Sequence, residues 1–193
     1  MKRIPILALS AVSILAGSFV ACDNDDDNTP SEPSLYTRLG GTTMVADPNN
    51  PGQMIEQGRL SYRSVVDSTI TLIVADITAG NQGNFGAHFA PLLAEVGNGN
   101  TTNLALLSKN LTDFFSANTG GGSSNTYSGL NMADAHNPAV NPRMGVKATD
   151  ADYTRFEGCL GQEAGLNGVT DQAIIGDVVD VLESLRDPIV QAP

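Results

Sequence analysis

Leu104, Leu107, Leu111 and Phe114 recur at i, i+3, i+7 and i+10, a spacing that an α-helix gathers onto one apolar face. Phe115 widens that stripe. A second run, Ile174, Ile175, Val178, Val181, Leu182 and Leu185, keeps a helical period. It follows Thr170, a residue type that caps helix N-termini, and stops near Pro188. Residues 57–76 place Leu60, Val65, Val66, Ile70, Ile73 and Val74 largely on one face, although the β-branched side chains weaken the helical preference. Residues 149–162 read as a further helix, with Asp150 and Asp152 near its start. Strand alternation is absent over any useful length, so the pattern predicts an all-α fold.

Between these runs lie segments expected to be surface loops. Residues 47–52 form a Pro/Asn/Gly turn cluster, and residues 80–84, 97–102 and 119–125 are rich in Gly, Asn and Ser. The glycine run at 120–122 lacks a following Lys-Ser/Thr, so it is no phosphate loop. The 193-residue chain carries 10 Lys+Arg against 21 Asp+Glu, a formal charge of −11. Nucleic-acid binders need basic surface, so nucleic acid is excluded as a partner. Composition also excludes a coiled coil, a collagen and a disulfide-dense scaffold.

The N-terminus reads as a targeting segment. Lys2 and Arg3 precede an uncharged, mostly apolar stretch over 4–20, which describes a secretory signal peptide spanning 1–21. Phe19-Val20-Ala21-Cys22 resembles the lipobox of bacterial lipoproteins, with Phe19 where Leu is usual. The resemblance implies acylation of Cys22 and membrane attachment through that lipid. An ordinary cleaved signal, or an N-terminal anchor with an incidental cysteine, is the alternative. Residues 22–33 read as an acidic disordered tether, since like charges and prolines oppose collapse. Acidic runs after the lipid cysteine resemble the export signal of surface lipoproteins in the Bacteroidetes group. The expected location is therefore the cell envelope, at the outer membrane. Acylation of Cys22 would leave Cys159 as a single thiol, and the absence of Cys-x-x-Cys-His excludes covalent c-type haem.

Several pieces of residues 34–193 resemble one family in order. They are Ser34-Leu35-Tyr36-Thr37-Arg38-Leu39-Gly40-Gly41, then Val65-Val66-Asp67 with Ala75-Asp76, then Phe114-Phe115 before Gly120-Gly121. Next comes Tyr127-Ser128-Gly129-Leu130-Asn131-Met132-Ala133-Asp134-Ala135-His136, and finally residues 148–169 closing in Gly168-Val169. This series resembles the group 1 truncated haemoglobins. The resemblance implies a two-over-two helical sandwich around one non-covalent haem b, here with enlarged loops at 46–56, 77–84, 91–102 and 137–147.

The resemblance also implies roles. His136 would be the iron ligand, and neutral imidazole suits iron. Met132, one turn earlier, would pack near the haem edge, Phe89 would stack on it, and Tyr153 would line the pocket. Ile70, Leu107 and Leu111 would form an apolar distal wall, because Ile70 stands where the family has its distal Tyr. Phe115 matches the aromatic that lines the family's ligand tunnel. His88 replaces the first Phe of the family's Phe-Phe corner, either as a corner residue or as a sixth iron ligand. Arg143 and Lys147 could pair with haem propionates, and Thr69 could supply a distal hydrogen bond if the register shifts by one.

The implied function is binding of a diatomic gas (oxygen, NO or CO) at haem iron. A donor to an oxygen ligand is worth about 1.5–3 kcal/mol, so its absence predicts oxygen retention about 10 to 100-fold weaker. The alternatives are a haem-scavenging or redox module without gas transport, and a globin-like interaction protein without haem, against which His136 in its motif argues. No distal acid–base residue is evident, so catalysis is not expected.

Overall fold

A computed structural model describes residues 32–80 and 85–193. The signal peptide, Cys22 and nearly all of the tether lie outside the described residues, as does the end of the 77–84 loop. Residues 33–193 form one compact unit. Among the described residues the chain runs α1 (Leu35–Arg38), β1 (Met44–Ala46), β2 (Met54–Glu56), α2 (Gln57–Thr78), α3 (Phe85–Gly97), α4 (Thr102–Ser116), α5 (Met132–Ala135), α6 (Asp150–Leu166) and α7 (Gln172–Ile189). The fold is mostly helical, as the apolar periodicity predicts. No helix among the described residues is long and apolar enough to cross a membrane.

Local chemistry sets the helix ends. Thr149 caps α6 reciprocally: its Oγ1 accepts the Asp152 N–H at 3.2 Å, and Asp152 Oδ2 accepts the Thr149 N–H at 2.9 Å. Asp171, rather than Thr170, caps α7 by accepting the N–H groups of Ala173 and Ile174. A carboxylate suits the positive end of the helix better than a neutral hydroxyl.

Three sequence expectations change. Residues 91–97 are helical, not loop, because α3 continues through Pro91 to Gly97. Residues 46–56 include part of an antiparallel ribbon in which Val45 faces Ile55, with strands too short for alternation to register. Its turn is drawn onto α2 by Asp47, whose two carboxylate oxygens accept from Arg63 at 3.1 and 2.7 Å. The Gly/Ser-rich stretch 119–125 is not purely surface, since Thr119, Gly121 and Asn125 are buried.

That burial centres on Tyr36. A Cβ on Gly58 of α2 would sit 2.9 Å from the Tyr36 ring, and one on Gly121 would meet it at 2.9 Å as well. The ring is thus received by two residues that lack side chains. Its hydroxyl donates to Glu56, and Asn125 Nδ2 donates to that hydroxyl at 3.0 Å. The opening motif and the double-glycine motif, some 80 residues apart in sequence, are therefore one packing unit.

Among the described residues the interior holds three apolar clusters. The first joins Tyr36, Tyr62, Val66, Phe115, Leu160 and Leu182 between α1, α2, α4, α6 and α7. The second joins Ile73, Phe85 and Cys159, and the third joins Ala148, Tyr153 and Ile189. Phe156 packs against all three. Ser108 of α4 reaches Asp67, and Thr119, just past the end of α4, accepts from Tyr62 at 2.7 Å, so this face meets α2. Thr112 and Ser116 lie on the same face at the i+4 spacing, small enough to let the helices approach.

Candidate functional site

The site is built around α5. Asn131 opens this short helix by accepting the Asp134 N–H at 2.9 Å, and His136 closes it. Two outside side chains hold its carbonyls: Asn141 Nδ2 donates to Ala135 O at 2.8 Å, and Gln191 Nε2 donates to Ala133 O at 2.7 Å. The turn that carries His136 is thereby fixed from the following loop and from the C-terminal segment.

His136 is half-buried, and its Nδ1 lies 2.9 Å from Met132 O. A carbonyl only accepts, so Nδ1 carries the proton and the Nε2 lone pair is left outward. Burial lowers the imidazole pKa below its usual value. The Met132 carbonyl opposes this, and the neighbouring His88 reinforces it. The ring is thus held neutral, in the tautomer and orientation a metal-binding imidazole needs. No group of three or more His, Cys, Asp or Glu side chains poised for a metal ion occurs among the described residues. A metal held by His136 would need a cofactor that brings its own remaining ligands. A single neutral imidazole fits haem in that respect.

The remaining sequence-nominated residues separate into groups. Ile70, Leu111 and Phe115 share the first cluster. Phe89 packs into the second cluster, and Met132 and Tyr153 belong to the third. Leu107 is half-buried on α4 and lies outside all three clusters. Phe156, which sequence reading did not nominate, links the groups. Its only signal in the sequence was its place one turn after Tyr153 on a helix whose apolar period is weak. Phe115 lines an apolar cavity of about 270 Å³ between α2, α6 and α7, and the lining does not include His136 or Phe89.

His88 is not poised as an iron ligand. It is buried, its Nδ1 faces Val146 O at 3.1 Å, and its Nε2 faces Asp152 Oδ2 at 3.2 Å. Both ring nitrogens face oxygen atoms of the protein interior, Val146 O and Asp152 Oδ2. The Gly145 N–H also donates to His88 O at 3.2 Å. His88 therefore clamps α3, the loop after His136 and α6 together. Thr69 is also committed, since its buried hydroxyl donates to Val65 O at 2.8 Å within α2. Arg143 pairs with Glu95 at 2.6 Å, and Lys147 is exposed. Tyr153 donates its hydroxyl to Leu182 O at 2.7 Å beneath the Arg186 guanidinium, which lies 4.8 Å from the ring centroid. Burial raises its pKa, so it stays a neutral donor.

Comparison with protein-family models, with curated proteins and with solved structures gives no match at a significant level.

Proposed function

We propose that this chain is an envelope-anchored, haem-binding protein of the truncated-globin type that binds a diatomic gas. The observation that carries the reading is the His136–Met132 pair: a neutral imidazole, Nδ1–H on a backbone carbonyl one turn back, Nε2 free. When bound, haem b would supply an iron able to bind oxygen, NO or CO, and His136 would be the protein residue that ligates it. His136 would hold the group from one side. Met132, Phe89 and Tyr153 would surround it with apolar surface that excludes water. Ile70, Leu107 and Leu111 would form the opposite wall, and none of them can donate a hydrogen bond. With the Thr69 hydroxyl already given to Val65 O, this wall favours gases that need no donor over oxygen.

The same apolar wall supports a second reading, a haem-scavenging or redox module without gas transport. Membrane attachment through acylated Cys22 is part of the proposal and rests on the lipobox resemblance. The decisive experiment adds hemin to residues 33–193 and records the absorption spectrum. An intense Soret band at one haem per chain, lost or strongly shifted in His136→Ala, is the expected result. No Soret band, or one unchanged in His136→Ala, overturns the haem assignment. A ferrous form that takes up no carbon monoxide favours the scavenging reading.

A further inference from the structure

The apolar cavity that Phe115 lines does not stand alone. It shares Leu39, Ser61, Val65, Val169 and Ile174 with an open groove of about 440 Å³ between the start of α2 and the α6–α7 turn. Groove and cavity therefore adjoin through a common wall. The groove end carries hydrogen-bonding side chains, among them Gln57, Ser64, Asn167 and Thr170. The cavity of about 270 Å³ is walled by Tyr62, Val66, Phe115, Leu160, Val178 and Leu182. α6 lines it with Gly161, Ala164 and Gly165; Gly161 and Gly165 are exposed, so the chamber opens to solvent along α6, and a Cβ on either would meet nothing within 4 Å. A polar mouth over an apolar chamber is the shape of an amphiphile site.

Charge narrows the head group. Arg38 on the groove wall is already paired with Asp177, and the same wall carries Asp171. At the cavity, Glu157 and Glu183 are both bonded to Arg186. Among the described residues lining groove and cavity, no unpaired cation is left to meet an anionic head, and the chain's charge of −11 repels one. A cationic head would find only Asp171 outside an ion pair, and its Oδ1 already accepts the Ala173 and Ile174 N–H groups. We propose that this composite pocket binds a single-chain lipid with an uncharged, hydroxyl-bearing head, its chain in the cavity and its hydroxyl among the groove's side chains. A cavity of about 270 Å³ has room for a medium-length aliphatic chain. The site is independent of His136 and needs no haem.

The test is calorimetric titration of the apoprotein, residues 33–193, with 1-decanol and, separately, with decanoate. Saturable 1:1 binding of decanol, tighter than decanoate by about tenfold or more, is expected. Gly161→Leu should fill the chamber and abolish binding while leaving the unfolding temperature unchanged or raised, because leucine is the better helix former. Ala164→Leu serves the same purpose should Gly161→Leu fail to fold. Ser64→Val should weaken decanol binding at the groove. Absence of saturable binding, equal or tighter binding of decanoate, or undiminished binding in a folded cavity-filling variant each overturns the proposal.

Discussion

His136 Nδ1 sits 2.9 Å from the carbonyl oxygen of Met132, the residue one turn before it. That single contact sets the tautomer, the ring plane and the direction of the free Nε2. Iron ligation by His136, as proposed, would depend on pH for a different reason, the burial of the ring. The imidazole pKa is lowered in the folded protein, chiefly by burial. The folded state therefore resists the proton that the unfolded chain accepts near pH 6.5. Stability from this group is present above that value and is lost as pH falls below it. Hemin affinity should fall over the same range, because an imidazolium has no lone pair. Hemin titrations between pH 7.5 and 5 check this, and an affinity that rises on acidification contradicts it.

In the proposed haem site, a new donor on the wall opposite His136 should slow the loss of oxygen. Leu111→Gln places an amide on α4, where Leu111 is half-buried. A hydrogen bond to an oxygen ligand is worth about 1.5–3 kcal/mol. Oxygen dissociation should slow by about 10 to 100-fold, with carbon monoxide dissociation changed far less. Stopped-flow displacement measures both rates on the haem-loaded protein.

Tyr36 has no room for a methyl group beside it. Gly58→Ala would bring a Cβ to 2.9 Å from both the ring and the Tyr36 carbonyl. Overpacking of this kind typically costs about 1–3 kcal/mol, against a gain in helix propensity of about 1 kcal/mol. A net loss of stability is expected in denaturant unfolding. A stabilised Gly58→Ala would show that the ring can move aside.

Asp47 should make the hairpin's attachment acid-sensitive. The Arg63 guanidinium, helped by Asn50 and the Asn49 N–H, holds its carboxyl well below the usual carboxylate range. A depressed folded value means stability present above about pH 3.9 and lost as pH falls further. The Tm gap between the natural chain and Asp47→Asn should be widest near neutrality and close on acidification below about pH 4.

Cys159 should be slow to modify. It is buried in the second cluster, and burial pushes its thiol pKa upward. Thiolate is the reactive form, so a chromogenic disulfide reagent should label the native protein slowly and the denatured protein at once. Fast native labelling would place this thiol at the surface.

Much of the helical framework was legible in local pattern. The Leu104–Phe114 stripe became α4, and the apolar period after residue 170 became α7, because one turn of helix brings i and i+4 together whatever the rest of the chain does. The cap at Thr149 was equally local. α3 was not legible, since Gly/Asn-rich segments flank it and Pro91 interrupts it. Nor was the ribbon at Met44–Ala46 and Met54–Glu56, whose strands are three residues each.

His136 and its motif could be picked out from the sequence alone, and so could the apolar identity of Ile70 and Leu111. Tertiary structure decided what no local pattern carries. It turned the Gly120-Gly121 run inward against Ser34 and Tyr36, and it committed both nitrogens of His88 to Val146 and Asp152. It also left an open chamber beside Gly161 and Gly165. Periodicity reports which face of an element is apolar. Which groups meet across elements far apart in sequence depends on how whole helices pack, and that is settled by side-chain volume and hydrogen-bond satisfaction in the folded chain.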